Sequence, residues 1–321
     1  MSSSTFSAFN LAQLAPPRHV PHLKHPEVLT VGMQPMTGNW LEPATDPAAM
    51  RAHKLERRQS LGDAVYAVRP EGLPGAQELA RKVRDWVSER GIGSPGPEGL
   101  PAGAERSADS SCAEPSTYTE SSKSADLPYS SLKEVLWQAS LAVHEDLVVM
   151  VPEGGSYSLM AASLCSPSHW RLPEKIGRPM ARVHDPIPGI HDRITPRIDR
   201  IFQNLRVDTP VERYNWSVQA GHSLFAWPSA HSAPIDPKTP LWYRVERQTL
   251  TRLPESGALA FTIRVHLDPL ESLLGVSDGL PGLFRAIDAT PPSLQQYKTF
   301  DWLAPALDKY RTLAGEATAL G

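Results

Sequence analysis

Polar residues interleaved on what should be the apolar face of a strand pair constrain this chain more than any other feature. Trp242–Leu250 and Ala258–Leu267 both alternate with period 2 and are rich in β-branched and aromatic residues, and Pro254-Glu255-Ser256-Gly257 suits a four-residue turn. This predicts a hairpin. With Leu253 paired to Ala258, the residues Leu250, Phe261, Ile263, Val265 and Leu267 share one face, and Arg244, Glu246 and Gln248 fall among them. A carboxylate is rarely buried without a partner or a task. The face therefore reads as a pocket wall rather than a plain core. Arg247 and Arg264 come opposite each other on the other face, which is repulsive unless an anion or carboxylate sits between them.

Charge and cysteine content narrow the classes. The 321 residues carry a formal net charge of −3, so bulk electrostatics gives no case for nucleic acid or an anionic membrane as partner. Cys112 and Cys165 make no CxxC, zinc set or haem-attachment motif, which fits a reducing, cytoplasmic setting. The N-terminus does not read as a secretory signal, and no apolar stretch is long enough to predict a membrane span. Walker A, GxGxxG, GxSxG and HExxH motifs are absent.

The organisation reads as one domain over 31–315, with an extended lead-in over 1–30 and a short tail over 316–321. His19, His22 and His25 in the lead-in suit a solvated tail better than a metal site. Gly75–Arg90 has Leu79, Val83, Trp86 and Val87 at helical spacing, with Gly91 as a stop. Residues 92–130 are rich in Ser, Pro, Gly, Ala and Glu and are expected to be a disordered insertion, Cys112 included. A helix is predicted over 132–142, then strands over 145–152 and 157–165. Ser168 would cap a short helix over 170–177, and a further helix ends near His184, before Pro186, Pro188 and Gly189. A helix over 190–204, a strand from Tyr214, the hairpin and a Pro-interrupted helical tail with Tyr297-Lys298 complete the chain.

Each chemistry-bearing residue has an ordinary reading beside a functional one. His184 is held by a stiff Pro-rich stretch, which suits a metal or haem ligand; a structural histidine at a helix end is the commoner case. Cys165 could offer a thiolate to haem iron, but a buried structural cysteine is the better reading. Glu246 and Arg244 could be an internal ion pair, or Glu246 could bind a cation while Arg244 or Arg247 binds a propionate or phosphate. Gln248 could orient Glu246.

Taken together, Cys165-Ser-Pro-Ser-His-Trp-Arg-Leu-Pro-Glu-Lys-Ile-Gly-Arg-Pro179, Val183-His-Asp-Pro-Ile-Pro-Gly189, Arg213-Tyr-Asn-Trp216 and Arg244-Val-Glu-Arg-Gln-Thr-Leu250 resemble the haem-dependent oxidative N-demethylase alpha-subunit family, over about residues 130–300. The resemblance implies an α+β fold in which a PAS-like antiparallel sheet with flanking helices encloses a pocket for non-covalent haem b. It implies oxidative N-demethylation of a small secondary amine such as dimethylamine by dioxygen. Electrons would come from NADPH through flavin and a [2Fe–2S] centre on partner subunits, a reductase or ferredoxin-type partner. His184 matches the family's His-x-Pro-Val-Pro-Gly position, with Ile187 in place of Val, and becomes the first choice of metal ligand. By chemistry alone, His169, His191 and His222 stay open. Glu246 and Gln248 are assigned catalytic positions in the pocket wall, and Arg244, Arg247, Asn215 and Trp216 cofactor contacts. Ser166 in place of the usual aromatic, the 92–130 insertion and a weak match near Trp40 and Glu42 depart from the family. A non-catalytic haem-binding PAS-like sensor or carrier is the alternative, and a relative that has lost haem is a third.

Overall fold

The hairpin forms in the expected register. In the computed structural model, Leu241–Arg252 (β6) pairs antiparallel with Leu259–Pro269 (β7), setting Gln248 against Ile263, Glu246 against Val265 and Arg247 against Arg264. The turn closes with the Leu253 amide donating to the Ala258 carbonyl at 2.8 Å, and Gly257 takes a positive φ of 70°. The structure describes residues 14–91, 129–168, 170–189, 194–226 and 233–320. The 92–128 part of the expected insertion, with Cys112, lies outside them, as do His169 and His191.

These strands sit within a seven-stranded antiparallel sheet. Its other members are Gln34–Pro35 (β1), Tyr66–Val68 (β2), Asp146–Glu153 (β3), Ser156–Ser163 (β4) and Val211–Ala220 (β5), and the spatial order is β1-β5-β6-β7-β3-β4-β2. The protein is thus α+β. Alternation gives the sheet two chemically distinct faces. On one face, Trp216, Val218, Tyr243 and Val245 pack on the helices Gly279–Asp288 and Phe300–Leu320. Further along that face, Leu147, Val149, Leu253 and Ala260 pack on Leu73–Glu89 (α2) and Val135–Ser140 (α4). Arg247, Thr249, Thr262, Arg264 and His266 lie between these two apolar clusters on the same face, all but His266 buried. On the opposite face, Val148, Met150, Leu159, Leu250 and Ile263 pack against the short helices Leu172–Lys175 (α5) and Met180–Val183 (α6) and the longer Thr195–Asn204 (α7).

Local chemistry sets the helix limits. α2 buries Leu79, Val83, Trp86 and Val87, as its spacing predicts. The 132–142 segment forms two short helices, Tyr129–Lys133 (α3) and α4, rather than one. α5 begins at Leu172 after an extended Arg171, not at a Ser168 cap, because Pro173 fixes the first turn. The helix expected over 190–204 starts at Thr195, again with proline in its first turn. Pro47–Leu61 (α1) has no counterpart in the sequence reading, although Asp46 caps it by accepting from the Ala49 amide at 2.9 Å and Pro47 opens it.

The solvated-tail expectation is corrected for His19 and His22, while His25 is exposed. His22 is buried between Tyr243, at 2.6 Å from its hydroxyl, and the Gly279 carbonyl, at 2.8 Å. His19 is mostly covered, with its ring 4.9 Å from that of His266. The apolar residues Val20 and Val28 pack beside them on the sheet, and their burial draws the histidines in.

Candidate functional site

A cavity opens between the N-terminal segment and the side of the sheet that carries α5, α6 and α7. Its walls come from well-separated stretches: Val28–Val31 and Met33, Ser166–Ser168, Met180 to Ile187, Ile194 to Phe202, the cavity face of β5 to β7, and Leu294, Tyr297 and Lys298. Most of that wall is apolar, and the polar groups are few and grouped, as in small-molecule and cofactor sites.

The strand alternation decides which sequence candidates reach it. Arg213, Asn215 and Ser217 of β5 and Glu246 and Gln248 of β6 line the cavity. Their neighbours do not. Arg247 faces the other layer, where it bonds Glu212 at 2.9 Å and the carbonyls of Asn39 and Trp40. Trp216 is buried there too, stacked on Phe300 at 6.1 Å between centroids. Arg247 and Trp216, two of the four residues assigned as cofactor contacts, are thereby turned away from the cavity by the period-2 geometry of their strands. Arg244 is on the cavity side but wholly buried behind the wall, donating to the Ser166 carbonyl at 2.7 Å and the Leu224 carbonyl at 3.0 Å.

Glu246 is the sole carboxylate among the described lining residues. Its Oε1 faces Arg244 Nε at 3.2 Å, while Oε2 accepts from Gln248 Nε2 at 3.0 Å and Asn215 Nδ2 at 3.3 Å. Burial pushes its pKa up, but Arg244, Lys298 and these hydrogen bonds outweigh that and hold it below the ordinary value. Lys298 donates to Asn215 Oδ1 at 3.2 Å and to the Trp216 carbonyl at 3.3 Å, and burial lowers its pKa to about 8. Burial likewise pushes the Tyr297 hydroxyl up to about 12, with Glu246 adding to it. Arg213 Nε is buried with no hydrogen bond among the described residues. Lys175 adds a further cation to the wall.

His184 lies on the cavity wall at the C-terminal end of α6. Its amide donates to the Met180 carbonyl at 3.2 Å, and its own carbonyl accepts from the Ile187 amide at 2.8 Å. The two prolines that follow hold this turn, so the imidazole is carried on a stiff support. His222, by contrast, is exposed and lies against Trp242.

The Ser166–Ser168 stretch of wall is fixed from beneath. Asp146, wholly buried, accepts from the Cys165 and Ser166 amides, both at 2.8 Å, and burial pushes its pKa up to about 6. Lys54 supplies charge nearby, bonded to the carbonyls of Ser140 and Glu145 at 2.9 and 2.7 Å. Cys165 itself packs in the cluster beneath α2 and α4, and burial raises its thiol to about 12. It is absent from the described cavity lining and packs as a buried apolar side chain does.

Sequence reasoning assigned no role to Arg213, Lys298, Tyr297 or the Val28–Met33 wall. Arg213 carried a usable signal, since it stands two residues before Asn215 on a strand. Lys298 and Val28–Met33 reach the cavity only through tertiary packing.

An antiparallel sheet with one face closing a mainly apolar cavity, and one carboxylate set among cations in the described wall, defines an α+β protein whose cavity has the character of a small-molecule or cofactor site. The chain belongs to the haem-dependent oxidative N-demethylase, alpha subunit-like family, whose model matches residues 109–307. No described helix is long and apolar enough to cross a membrane.

Proposed function

We propose that this protein is a haem-dependent oxidative N-demethylase acting on a small secondary amine such as dimethylamine, with dioxygen as oxidant. Electrons reach it from NADPH through flavin and [2Fe–2S] groups on a separate reductase. The observation that carries the haem assignment is Arg213. Its buried, unbonded Nε on the wall of a mainly apolar cavity calls for an anion, and the carboxylates of haem b supply one in an otherwise apolar molecule. Lys175 and Lys298 reinforce that preference. His184, on its stiff turn, is the residue to hold the iron.

Haem, when bound, supplies the oxidative chemistry. The protein's own residues bind and orient the amine. A dialkylamine is a cation at neutral pH, and ionised Glu246 is the acceptor available to it. Gln248, which bonds Oε2 from the cavity wall, holds the carboxylate in place and is the donor that an ammonium would displace. A carboxylate held ionised in this way fixes the ammonium by charge and sets its orientation, and is a poor acceptor for its proton. The apolar wall of Val148, Met150, Leu159, Phe261 and Ile263 keeps water from the methyl groups.

The test is an absorption spectrum of haem-supplied protein, oxidised and reduced, with and without dimethylamine. A Soret band that moves on adding amine, disappears in His184→Ala and stays but ceases to respond in Glu246→Gln is the expected set. A Soret band indifferent to amine, with stable binding of a diatomic ligand, would favour a sensor or carrier. A folded protein that takes up no haem would end the proposal.

A further inference from the structure

On the opposite side of the sheet from the cavity, His19, Glu42 and His266 bring two imidazole nitrogens and a carboxylate together within 4.8 Å of one another. His266 Nε2 lies 3.1 Å from Glu42 Oε2, and His19 Nε2 lies 3.5 Å from Oε1. Neither contact has hydrogen-bond geometry: both Nε2 atoms and Oε2 are buried with no hydrogen bond among the described residues. Glu42 as a whole is 5% exposed. Three buried atoms of metal-ligating type converge with only charge contacts among themselves and to Arg18, which suits a shared partner. Nitrogen and oxygen donors at about 2.0–2.2 Å from a common ion stand roughly 3–3.5 Å from each other, the spacing that each imidazole already has from a Glu42 oxygen, while the widest separation, within 4.8 Å, would have to contract.

The surrounding charges permit a cation. Arg247 lies 3.8 Å and Arg264 4.0 Å from the Glu42 carboxylate, and the largely exposed Arg18 lies 3.4 Å from it. Arg247 is paired with Glu212 at 2.8 Å, Arg264 has Glu145 near it, and Asp268 stands close enough to feel both imidazoles. Four carboxylates thus stand among the three guanidinium groups, although burial raises the pKa of Glu145 and Asp268.

We propose that His19, Glu42 and His266 bind one divalent transition-metal ion of the zinc class, in a two-histidine, one-carboxylate arrangement with positions left for water. The ion has a defined structural consequence. His19 and Glu42 bracket the Val28–Met33 stretch that walls the cavity, and His266 belongs to the sheet. The metal would therefore clasp both ends of that wall to β7. Two of the three ligands lie outside the residues matched to the family.

The full chain is stripped with chelator, titrated with zinc by calorimetry, and assayed for bound zinc by mass spectrometry, which separates it from haem iron. One zinc per chain in the parent and in the surface control His222→Ala is expected. Affinity should fall by more than about tenfold in His19→Ala and His266→Ala. X-ray absorption at the zinc edge should read two imidazoles. If His266→Ala does not fold, the less buried His19→Ala still decides. No stoichiometric zinc in the parent, or unchanged affinity in His19→Ala, would overturn the proposal and leave an ion-paired cluster. Haem uptake, read separately from the Soret band, keeps this result distinct from that for the cavity.

Discussion

Arg244 and Glu246, two residues apart on one strand, form an ion pair of 3.2 Å inside the fold. The arginine does more than neutralise. Its other nitrogens bond the carbonyls of Ser166 and Leu224 and the Gln219 side chain, so it ties the cavity's carboxylate to the loop after β4 and to the chain beyond β5.

Removing that arginine strands a buried carboxylate and three acceptors at once. Arg244→Met is expected to cost about 3–5 kcal/mol of stability, as for other broken buried pairs. Urea unfolding of parent and variant measures it. A loss under about 1 kcal/mol would show that the pair contributes no more than a surface one.

Lys298 gives a pH signature with a definite sign. Its folded pKa of about 8 lies below the ordinary lysine value of about 10.4. Between those values the unfolded chain holds a proton that the folded chain has released. The cost of burying the ammonium is complete below pH about 8 and fades as pH rises toward about 10.4, so this group makes stability increase across that window. Lys298→Met should lack the increase, and the two unfolding curves should converge or cross by about 1–3 kcal/mol between pH 8 and 10. Parallel curves would contradict it.

Gly75 lies where α2 approaches the sheet most closely. A Cβ there would come within 2.7 Å of Val149 Cγ1 and 2.9 Å of Ala258 Cβ. Alanine would gain about 1 kcal/mol of helix propensity but overpack the contact by about 1–3 kcal/mol. Gly75→Ala is therefore expected to lower the urea midpoint. A raised midpoint would mean that the helix can back away from the sheet without loss.

The hairpin was readable because its pattern is local: alternation sets the faces, and one turn sets the register. The same rule placed Arg247 and Arg264 opposite each other, and the carboxylate expected between them is Glu42, a residue no local pattern could supply. Glu246 and Gln248 were legible as a wall for the same reason. Lys298 was not, since it reaches Asn215 across 83 positions of chain. The lead-in misled because its histidines and prolines break up any local apolar period, while what decides the fate of His22 is burial against Tyr243 and Trp216. α1 was overlooked because its apolar stripe is weak: Met50 and Lys54 are its buried residues. Its Asp46-Pro47 start was there to be used.

The alternation of β5 and β6 has a use for anyone redesigning the protein. Positions 213, 215, 217 and 248 can be varied as a set, because their side chains meet the cavity and not the helical layer behind, while Glu246 is kept as the buried partner of Arg244. Positions 214, 216, 243, 245 and 247 form a second, interleaved set that carries the scaffold. The two strands thus encode chemistry and support in alternate letters, and a library confined to the first alphabet should change what the cavity accepts while most of its members still fold.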